Sequence, residues 1–486
     1  MTANDIRQIR QAIIGSLPDD TSSHGAVSDK RYVYAPPSHL KALRLECSLV
    51  IGARGVGKSF WSAALTSAEI RALLGPLVPD LSRLQVATGF SERSKLDDYP
   101  RDDKFASLLK MDVDAYDIWR AVLARWLAKI LPRSIPVSDW MDTVKWLKGN
   151  PEPFLRMLET ANDLFESRNE HGLIVFDALD RPSDDWRMMD EIVRQLLRVV
   201  LSLKPFPRLH GKVFLRDDQF AGRRVTDFPD ASKLLATKAD LTWAPYDLHG
   251  LLWQYLCNGP QEAGAMARSL FDRLERGLLH ESDGIWHLPS RAKRDDPLQR
   301  SLFEGLAGEW MGRDRRRGIP YMWSVGHLAD GKGRTSPRSF LAAIRKAADD
   351  SRQRYPDHPT PLHYESIKRG VQEASQIRVQ ELAEDYPCIK TLMGPLRGLT
   401  VPCPFSDINR TWYVRSGPDP NTQLFEGRLP PEHVKEGWKG VARDLEGLGI
   451  FETMKDGRIN MPDLYRVGFG LGRRGGVKPM DKRSTT

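Results

Sequence analysis

Residues 48–59 of the chain read SLVIGARGVGKS, and FWSAAL follows at 60–65. The apolar run before the first glycine predicts a short buried strand, and the residues from Lys58 onward predict a helix. A strand that enters a helix through the pattern G-x-x-x-x-G-K-S is the arrangement of a phosphate-binding loop. A glycine-rich turn that matches this pattern by chance is the alternative. The strand before the loop and the helix after it favour a nucleoside-triphosphate site.

Each part of this loop has a physical task. Gly52, Gly55 and Gly57 let the backbone turn tightly with its N–H groups directed at a polyphosphate, and the helix N-terminus adds its dipole. Lys58 can reach the β- and γ-phosphates, and the Ser59 hydroxyl can ligate Mg²⁺. We therefore predict ATP and Mg²⁺ as cofactors. The predicted nucleotide contacts are Gly52, Ala53, Arg54, Gly55, Val56, Gly57, Lys58, Ser59 and Phe60.

A second informative stretch, residues 171–181, reads HGLIVFDALDR. Its four consecutive apolar residues between glycine and aspartate predict a buried parallel strand. Asp177, at the carboxyl end of that strand, is predicted to be the Walker B carboxylate that completes the Mg²⁺ site with Ser59. A turn aspartate that only ends a buried strand is the alternative. Many P-loop ATPases have a water-orienting glutamate next, where this chain has Ala178, and we predict that Asp180 takes that role.

Two arginines are candidates for sensing the γ-phosphate. Arg216 follows the strand-like run GKVFL at 211–215, which we expect beside the Walker B strand. A plain salt bridge at the strand end is the alternative for this residue. Arg338 is expected in the first turn of a helix that Thr335 or Ser336 caps and that a proline opens.

These motifs together resemble those of the AAA+-related STAND and KAP-type P-loop NTPases of bacteria. The resemblance is carried by GARGVGKS at 52–59, FDALDR at 176–181, the strand-end Arg216 and TSPR at 335–338. It implies an α/β fold in which a P-loop parallel sheet and a helical lid are followed by a mostly helical domain of winged-helix type. It also implies an NTP-driven switch of the kind found in bacterial antiphage defence.

The resemblance assigns roles to two residues and is broken at a third. Arg338 would be the second sensor, which AAA+ modules carry on the helical lid. Asp180 matches the later aspartate of the Asp-x-x-Asp-Arg pattern of KAP-type proteins. Those proteins tend to have a second acidic residue directly after the Walker B aspartate, and Ala178 is not acidic. Slow, partner-stimulated turnover is therefore expected.

The C-terminal third changes in character. A predicted helix over 431–448, which ends in Leu-Gly, is followed by two short strand-like runs around Asp456 and Gly457, a strong hairpin signal. This order predicts a winged helix, and a basic segment follows it. The predicted division of the chain is a lead segment (1–35), a P-loop nucleotide-binding domain (36–258), a helical lid (259–355), a winged-helix-like domain (356–472) and a flexible basic tail (473–486).

Composition narrows the class of protein. The chain has 486 residues, of which 41% are hydrophobic, and a formal net charge of +8, which permits nucleic-acid binding. It has no apolar run of ~18 residues and no secretory signal at its start, so we expect no membrane association. Its cysteines form no CxxC pair, which predicts a reduced, cytoplasmic protein without a zinc ribbon. These cysteines are Cys47, Cys257, Cys388 and Cys403.

We predict an ATP-binding and ATP-hydrolysing switch that works with protein partners in a complex or as a homo-oligomer. The alternative is a DNA-binding AAA+-type loader or remodelling ATPase that grips DNA with its winged helix and tail. A P-loop kinase is a third class, but it needs an acceptor pocket and fits a chain of this length poorly. The arginine-rich run RDRRR at 313–317 is read as a solvated face or as a nucleic-acid contact.

Overall fold

The structure is a computed structural model that describes residues 2–19, 29–93, 95–132, 134–179, 186–220, 224–274, 279–420, 422–425, 430–475 and 477–479. The chain forms two compact units, each described here by itself. The nucleotide unit comprises residues 22–242. The helical unit comprises residues 1–21 together with 243–486, so it includes the first helix, α1 (Ala3–Ser16). The five-part division of the chain stays a prediction.

The nucleotide unit is built on a parallel sheet. Among the residues described, five strands form this sheet in the order β2-β3-β4-β1-β5, and every pair is parallel. The strand predicted before the P-loop is β1, and the strand predicted before Asp177 is β3. The predicted α/β class with a P-loop parallel sheet is confirmed. The strands are β1 (Leu49–Gly52), β2 (Leu84–Phe90), β3 (His171–Phe176), β4 (Leu209–Arg216) and β5 (Ala239–Leu241).

Helices cover this sheet and share one hydrophobic core with it. Helix α6 packs against α7, α8 and α9, and its fully buried Trp119 donates an indole hydrogen bond of 3.0 Å to the carbonyl of Ile192 in α9. Trp119 and Trp126 of α6 are therefore core residues. The helices are α2 (Pro37–Leu43), α3 (Lys58–Thr66), α4 (Ala68–Leu74), α5 (Asp102–Lys110), α6 (Ala115–Ile130), α7 (Trp140–Gly149), α8 (Pro151–Ser167), α9 (Trp186–Leu201), α10 (Asp217–Phe220) and α11 (Ser232–Leu235).

An aromatic cluster fixes the carboxyl end of β3. Phe176 packs edge-on against Trp119 with ring centroids 5.6 Å apart, and it is level with Phe90 of β2. A Cβ at Gly89 would lie 2.3 Å from the Phe176 ring, so only glycine fits beneath it. This packing of the Phe176 ring positions the next residue, Asp177, at the end of β3.

A buried lysine ties β4 to the chain that enters β1. Lys212 is fully buried, and its ammonium group donates hydrogen bonds of 2.7 Å and 2.9 Å to the carbonyls of Ala42 and Arg44, and a third to that of Cys47. These carbonyls lie in the last turn of α2 and in the segment between α2 and β1. Burial lowers the pKa of Lys212 to about 8. The three acceptors offset the cost of a buried cation.

The helical unit contains the remaining elements. None of the helices in the described segments is long and apolar enough to cross a lipid bilayer. They are α12 (Pro245–Cys257), α13 (Gln261–Leu274), α14 (Asp296–Ala307), α15 (Pro320–Gly326), α16 (Pro337–Arg354), α17 (Tyr364–Asp385), α18 (Cys388–Met393), α19 (Phe405–Ser416), α20 (Gly437–Gly447) and α21 (Asp463–Phe469), with the short antiparallel pairs β6 (His280–Ser282)–β7 (Ile285–His287) and β8 (Glu452–Thr453)–β9 (Ile459–Asn460).

Two contacts organise the helical unit. Helices α16 and α17 approach closely at Gly370, where a Cβ would lie 2.1 Å from the Ala343 carbonyl oxygen. Helix α1 packs against α13 and α16, and its buried Arg10 donates hydrogen bonds of 2.8, 2.7 and 2.8 Å to three carbonyls of the loop after α16. The N-terminal helix, predicted as part of a lead segment, is thus an integral part of this unit's packing.

Capping and turn residues in the sequence predict the start of α16 and the β8–β9 hairpin correctly, but the start of α20 is predicted too early. Ser336 caps α16 by accepting a hydrogen bond from the Ser339 N–H, as its sequence predicts, and Asp456-Gly457 turns between β8 and β9. The expected helix over 431–448 is shorter, since α20 begins only at Gly437. The helix prediction is wrong for the residues before Gly437, because that glycine has a φ of +70° and interrupts helical geometry.

We expect Lys212→Met to lower the free energy of unfolding by about 3 kcal/mol, because three buried carbonyls lose their donor while the aliphatic stem is retained. Urea denaturation followed by circular dichroism measures the effect. Lys204→Met is the matched control, since Lys204 is exposed, and it should change stability by less than about 0.5 kcal/mol. Equal effects of the two substitutions would contradict the role given to Lys212.

Candidate functional site

The loop between β1 and α3 has the conformation that its glycines predict. Gly55 and Gly57 have φ values of +75° and +109°, which L side chains rarely adopt. A Cβ at Gly52 would lie 2.6 Å from the Val56 side chain, so the start of the loop also excludes larger residues. Since the N-cap of α3 is Gly57, no side chain caps this helix. A helix N-terminus without a side-chain cap is the kind of site at which an anion binds.

Lys58, the first residue of α3, folds back over the loop. Its ammonium group donates hydrogen bonds of 2.9 Å to the carbonyls of both Gly52 and Ala53. The ammonium group of Lys58 thus lies against the loop that leads into the N-terminus of α3. Ser59 and Phe60 follow in the first turn, and both are half-buried. The predicted nucleotide contacts are in this way grouped along one continuous segment.

His39, which the sequence analysis did not single out, is hydrogen-bonded to α3, the helix that follows the P-loop. His39 of α2 is fully buried, and its Nδ1 accepts a 2.9 Å hydrogen bond from the Trp61 indole N–H of α3. Because the indole can only donate, Nδ1 is unprotonated and Nε2 carries the proton, which it donates to the Thr242 carbonyl at 3.0 Å. Burial lowers the pKa of His39 to about 4. A neutral imidazole therefore bridges α3 and the end of β5.

Asp177 lies where the Walker B prediction requires. It directly follows β3 and is 5% exposed, and its N–H donates a 3.0 Å hydrogen bond to the Phe90 carbonyl. Strand β4 lies between β3 and β1, and in that ladder Gly52 is level with Arg216. The carboxyl ends of three adjacent parallel strands thus bring together Gly52, Arg216 and Asp177, and β1 and β3 are about 10 Å apart.

The residue after Asp177 is conformationally unusual. Ala178 has a φ of +57°, the left-handed region that costs a residue with a Cβ about 1 kcal/mol or more. Strain of this kind persists only where the surroundings impose it. It occurs at the position where many P-loop ATPases carry a glutamate. The water-positioning role predicted for Asp180 stays a prediction, because that residue lies outside the described residues.

Arg216 makes the salt bridge that the sequence left open as an alternative. Its guanidinium contacts both carboxylate oxygens of Asp218, each at 3.0 Å, and is 9% exposed. Its backbone N–H donates to Gln219, whose amide in turn donates 3.2 Å to the Leu179 carbonyl. This last contact links the end of β4 to the segment after Asp177. The sensor role of Arg216 stays a prediction.

Arg338 belongs to the helical unit and is also paired with a carboxylate. It lies in the first turn of α16, as its capping signal predicts, and its Nη1 lies 2.6 Å from Glu381 of α17. Arg378, one turn before Glu381, lies 3.5 Å from the other oxygen of the same carboxylate. The pairing of Arg338 with Glu381 joins two helices, so the local sequence does not predict it, whereas Arg378 and Glu381 lie three residues apart on α17. The role of Arg338 as second sensor stays a prediction.

The residues of the nucleotide unit fit the cofactors that were predicted. The loop offers main-chain N–H groups and one ammonium group, which suit a polyphosphate. The hydroxyl of Ser59 and the carboxylate of Asp177 are hard oxygen ligands of the kind Mg²⁺ takes when it keeps several waters and substrate phosphates. The donor set therefore suits Mg·ATP.

Comparison with solved structures gives distant neighbours. The Cdc6p of Pyrobaculum aerophilum is 13% identical, with a TM-score of 0.32. The ORC2 protein of Aeropyrum pernix, solved with ADPNP and ADP, is 13% identical, with a TM-score of 0.39. Each alignment covers 90% of this chain and 94% of the neighbour. At such low values the likeness assigns no function. No family model and no curated protein sequence matches the chain.

We expect His39→Leu to destabilise the protein near neutral pH by about 2 kcal/mol, because the buried Trp61 N–H loses its acceptor and the Thr242 carbonyl keeps only the Ser38 hydroxyl as a donor. The native state needs neutral His39, whose pKa is lowered from 6.5 to about 4. Wild-type stability should therefore fall as the pH drops through this window, by about 2 kcal/mol between about pH 7.5 and about pH 5.

The variant lacks this titration, so its deficit should nearly vanish at the lower pH. Urea denaturation at both pH values measures it. Ser38→Ala is the control, since this exposed neighbour donates to the same Thr242 carbonyl and should change stability by no more than about 0.5 kcal/mol. A deficit that is constant with pH would contradict the neutral bridge.

Proposed function

We propose that the chain is an ATP-binding and ATP-hydrolysing switch protein that acts in a multiprotein complex. The observation that carries the proposal is the conjunction of a P-loop conformation with Asp177 and Arg216 at the ends of the two neighbouring strands. A glycine-rich turn that matched the motif by chance would not be expected on the same sheet edge as a buried carboxylate. Here Asp177 follows β3, which is separated from β1 only by β4. This arrangement is what Mg·ATP requires.

The roles of the residues follow from their chemistry. The P-loop N–H groups and Lys58 bind the phosphates, which draws Lys58 away from the two loop carbonyls it contacts now. Ser59 and Asp177 hold Mg²⁺, which would neutralise charge developing on the phosphates. Asp180 positions the attacking water. We expect slow turnover, because Ala178 offers no carboxylate directly after Asp177.

The switch consists of two exchangeable ion pairs. Arg216 is held by Asp218 and Arg338 by Glu381. A γ-phosphate attracts a guanidinium strongly and in bidentate geometry, so it competes with each carboxylate. Binding and hydrolysis of ATP would thus make and break contacts at both arginines, which is how γ-phosphate switches act. We propose that partners, or further copies of the chain, respond to these changes.

The setting of this switch is also part of the proposal. A place in bacterial antiphage defence and the STAND or KAP subtype rest on the resemblance of the sequence motifs alone. A cytoplasmic location is supported by the cysteines, since all four are buried free thiols. Such thiols persist in a reducing compartment.

A DNA-binding loader or remodelling ATPase is the second candidate, and the order of elements after α18 favours it. A bridge residue, Cys403, precedes the helices α19 and α20, and the β8–β9 hairpin follows. Cys403 forms a single antiparallel bridge with Ile459 of β9, so it lies beside the two-stranded hairpin. A bridge residue and two helices followed by a hairpin is the element order of a winged helix. The exposed Lys455 and Arg458 lie at the turn of this wing.

We expect Lys58→Ala to reduce ATP turnover by about 100-fold or more, because phosphate binding and transition-state charge stabilisation are both lost. Asp177→Asn should have a similar effect through Mg²⁺. Phosphate release without any added acceptor is the measurement, and it also separates an ATPase from a kinase. Lys110→Ala, on the exposed end of α5, is the control. Unchanged turnover in Lys58→Ala would reject the site.

For the second candidate, we expect Lys455→Ala with Arg458→Ala to weaken binding of duplex DNA and to reduce the slope of log affinity against log salt by about 2. Fluorescence anisotropy over a salt series measures both quantities. ATP turnover without DNA should be unchanged, because these residues belong to the wing. DNA binding with an undiminished salt slope would argue against a winged-helix contact.

A further inference from the structure

A short arginine-rich loop, residues 312–318 with the sequence GRDRRRG, precedes α15 in the helical unit. The N–H of Met311 donates a 2.8 Å hydrogen bond to the carbonyl of Gly318, so the loop is closed at its base. Its two end glycines have φ values of +151° and +96°. The loop therefore has a fixed backbone, which holds its side chains close together.

The four arginines of this loop, which we call the arginine loop, are exposed. Asp314 offsets one of these four charges, and its carboxylate accepts the backbone N–H of Arg316 and starts the turn. Within the part of the chain that the structure describes, none of the four guanidinium groups forms an ion pair with a carboxylate. They are Arg313, Arg315, Arg316 and Arg317.

Several other arginines of the same unit are paired with carboxylates. Arg291, Arg300 and Arg352 each contact a carboxylate three or four residues away in sequence, at 3.0, 2.7 and 2.6 Å. The arginine loop instead has four positive charges and one negative charge on seven residues, which leaves a net charge of +3. Binding of an anion would relieve the repulsion among its arginines.

The composition of the loop indicates which anion suits it. It has no apolar side chain, whereas the centre of a protein–protein interface is depleted in charged residues and rich in apolar and aromatic ones. Guanidinium groups bind phosphate in bidentate fashion, and four of them match successive phosphates of one polymer. Trp323 lies beside Gly318 at the end of the loop, and its ring is tilted against that of His327 with 4.0 Å between the centroids.

We propose that the arginine loop binds the phosphate backbone of a nucleic acid. It would do so without reading sequence, as a second contact separate from the wing. The inference rests on the second candidate function, a DNA-binding ATPase, and extends it to a surface outside the winged helix. Backbone contacts of this kind fix the position of a protein on a duplex and supply much of its affinity.

The test replaces Arg313, Arg315 and Arg316 by glutamine and keeps Arg317, because the stem of Arg317 packs on Gly312. The control replaces Arg291, Arg300 and Arg352 by glutamine, which changes the net charge equally. The probe is a labelled duplex of about 30 base pairs, titrated by anisotropy from about 50 to about 200 mM salt. Both variants are checked for wild-type thermal unfolding and for DNA-independent ATP turnover.

We expect the loop variant to bind at least about tenfold more weakly at low salt and to lose about 2 to 3 from the slope of log affinity against log salt. The control should stay within about twofold of the wild type. Equal losses in both variants, or none in the loop variant, would overturn the proposal while leaving the wing untouched. A wild-type protein that binds no DNA at low salt would instead reject the second candidate function itself. Loss of binding to polyglutamate with DNA binding intact would assign the loop to an acidic protein, against the proposal.

Discussion

The parallel pairing of β4 with β1 on one side and with β3 on the other is the constraint on which the candidate site depends. It sets the P-loop, Arg216 and Asp177 at one edge of the sheet, although they are far apart in sequence. Lys212 reinforces this arrangement, because it lies in β4 and binds the carbonyls of the segment that leads into β1. A charge buried in the middle of the sheet thus helps to fix the register at which the functional ends meet.

Much of this framework could be predicted from local sequence. Apolar runs bounded by glycine and aspartate gave strands, Ser336 and Pro337 located the start of α16, and Asp456-Gly457 located the hairpin. Each of these signals acts within a few residues. The limits of α20 were the exception, since the helical periodicity before Gly437 says nothing of the backbone angle that this glycine adopts.

The side-chain partnerships could not be predicted. His39 with Trp61, Lys212 with three carbonyls, and Arg338 with Glu381 join segments that only the folded chain brings together. For Arg216 the sequence allowed both a sensor and a salt bridge, and the salt bridge exists without excluding the sensor. Both candidate sensors are therefore engaged at present. A phosphate that drew either arginine toward it would first have to displace a carboxylate from a charge-assisted contact.

The order of synthesis gives the buried Arg10 a further consequence. Helix α1 precedes its partner by a long stretch of chain, because the carbonyl of Pro361 that Arg10 binds is made 351 residues later. At ribosomal rates of about 5–20 residues per second, roughly 20 to 70 s separate the synthesis of the two residues. The whole nucleotide unit, residues 22–242, is made in between. The contacts of Arg10 with the loop after α16 can therefore form only late in synthesis.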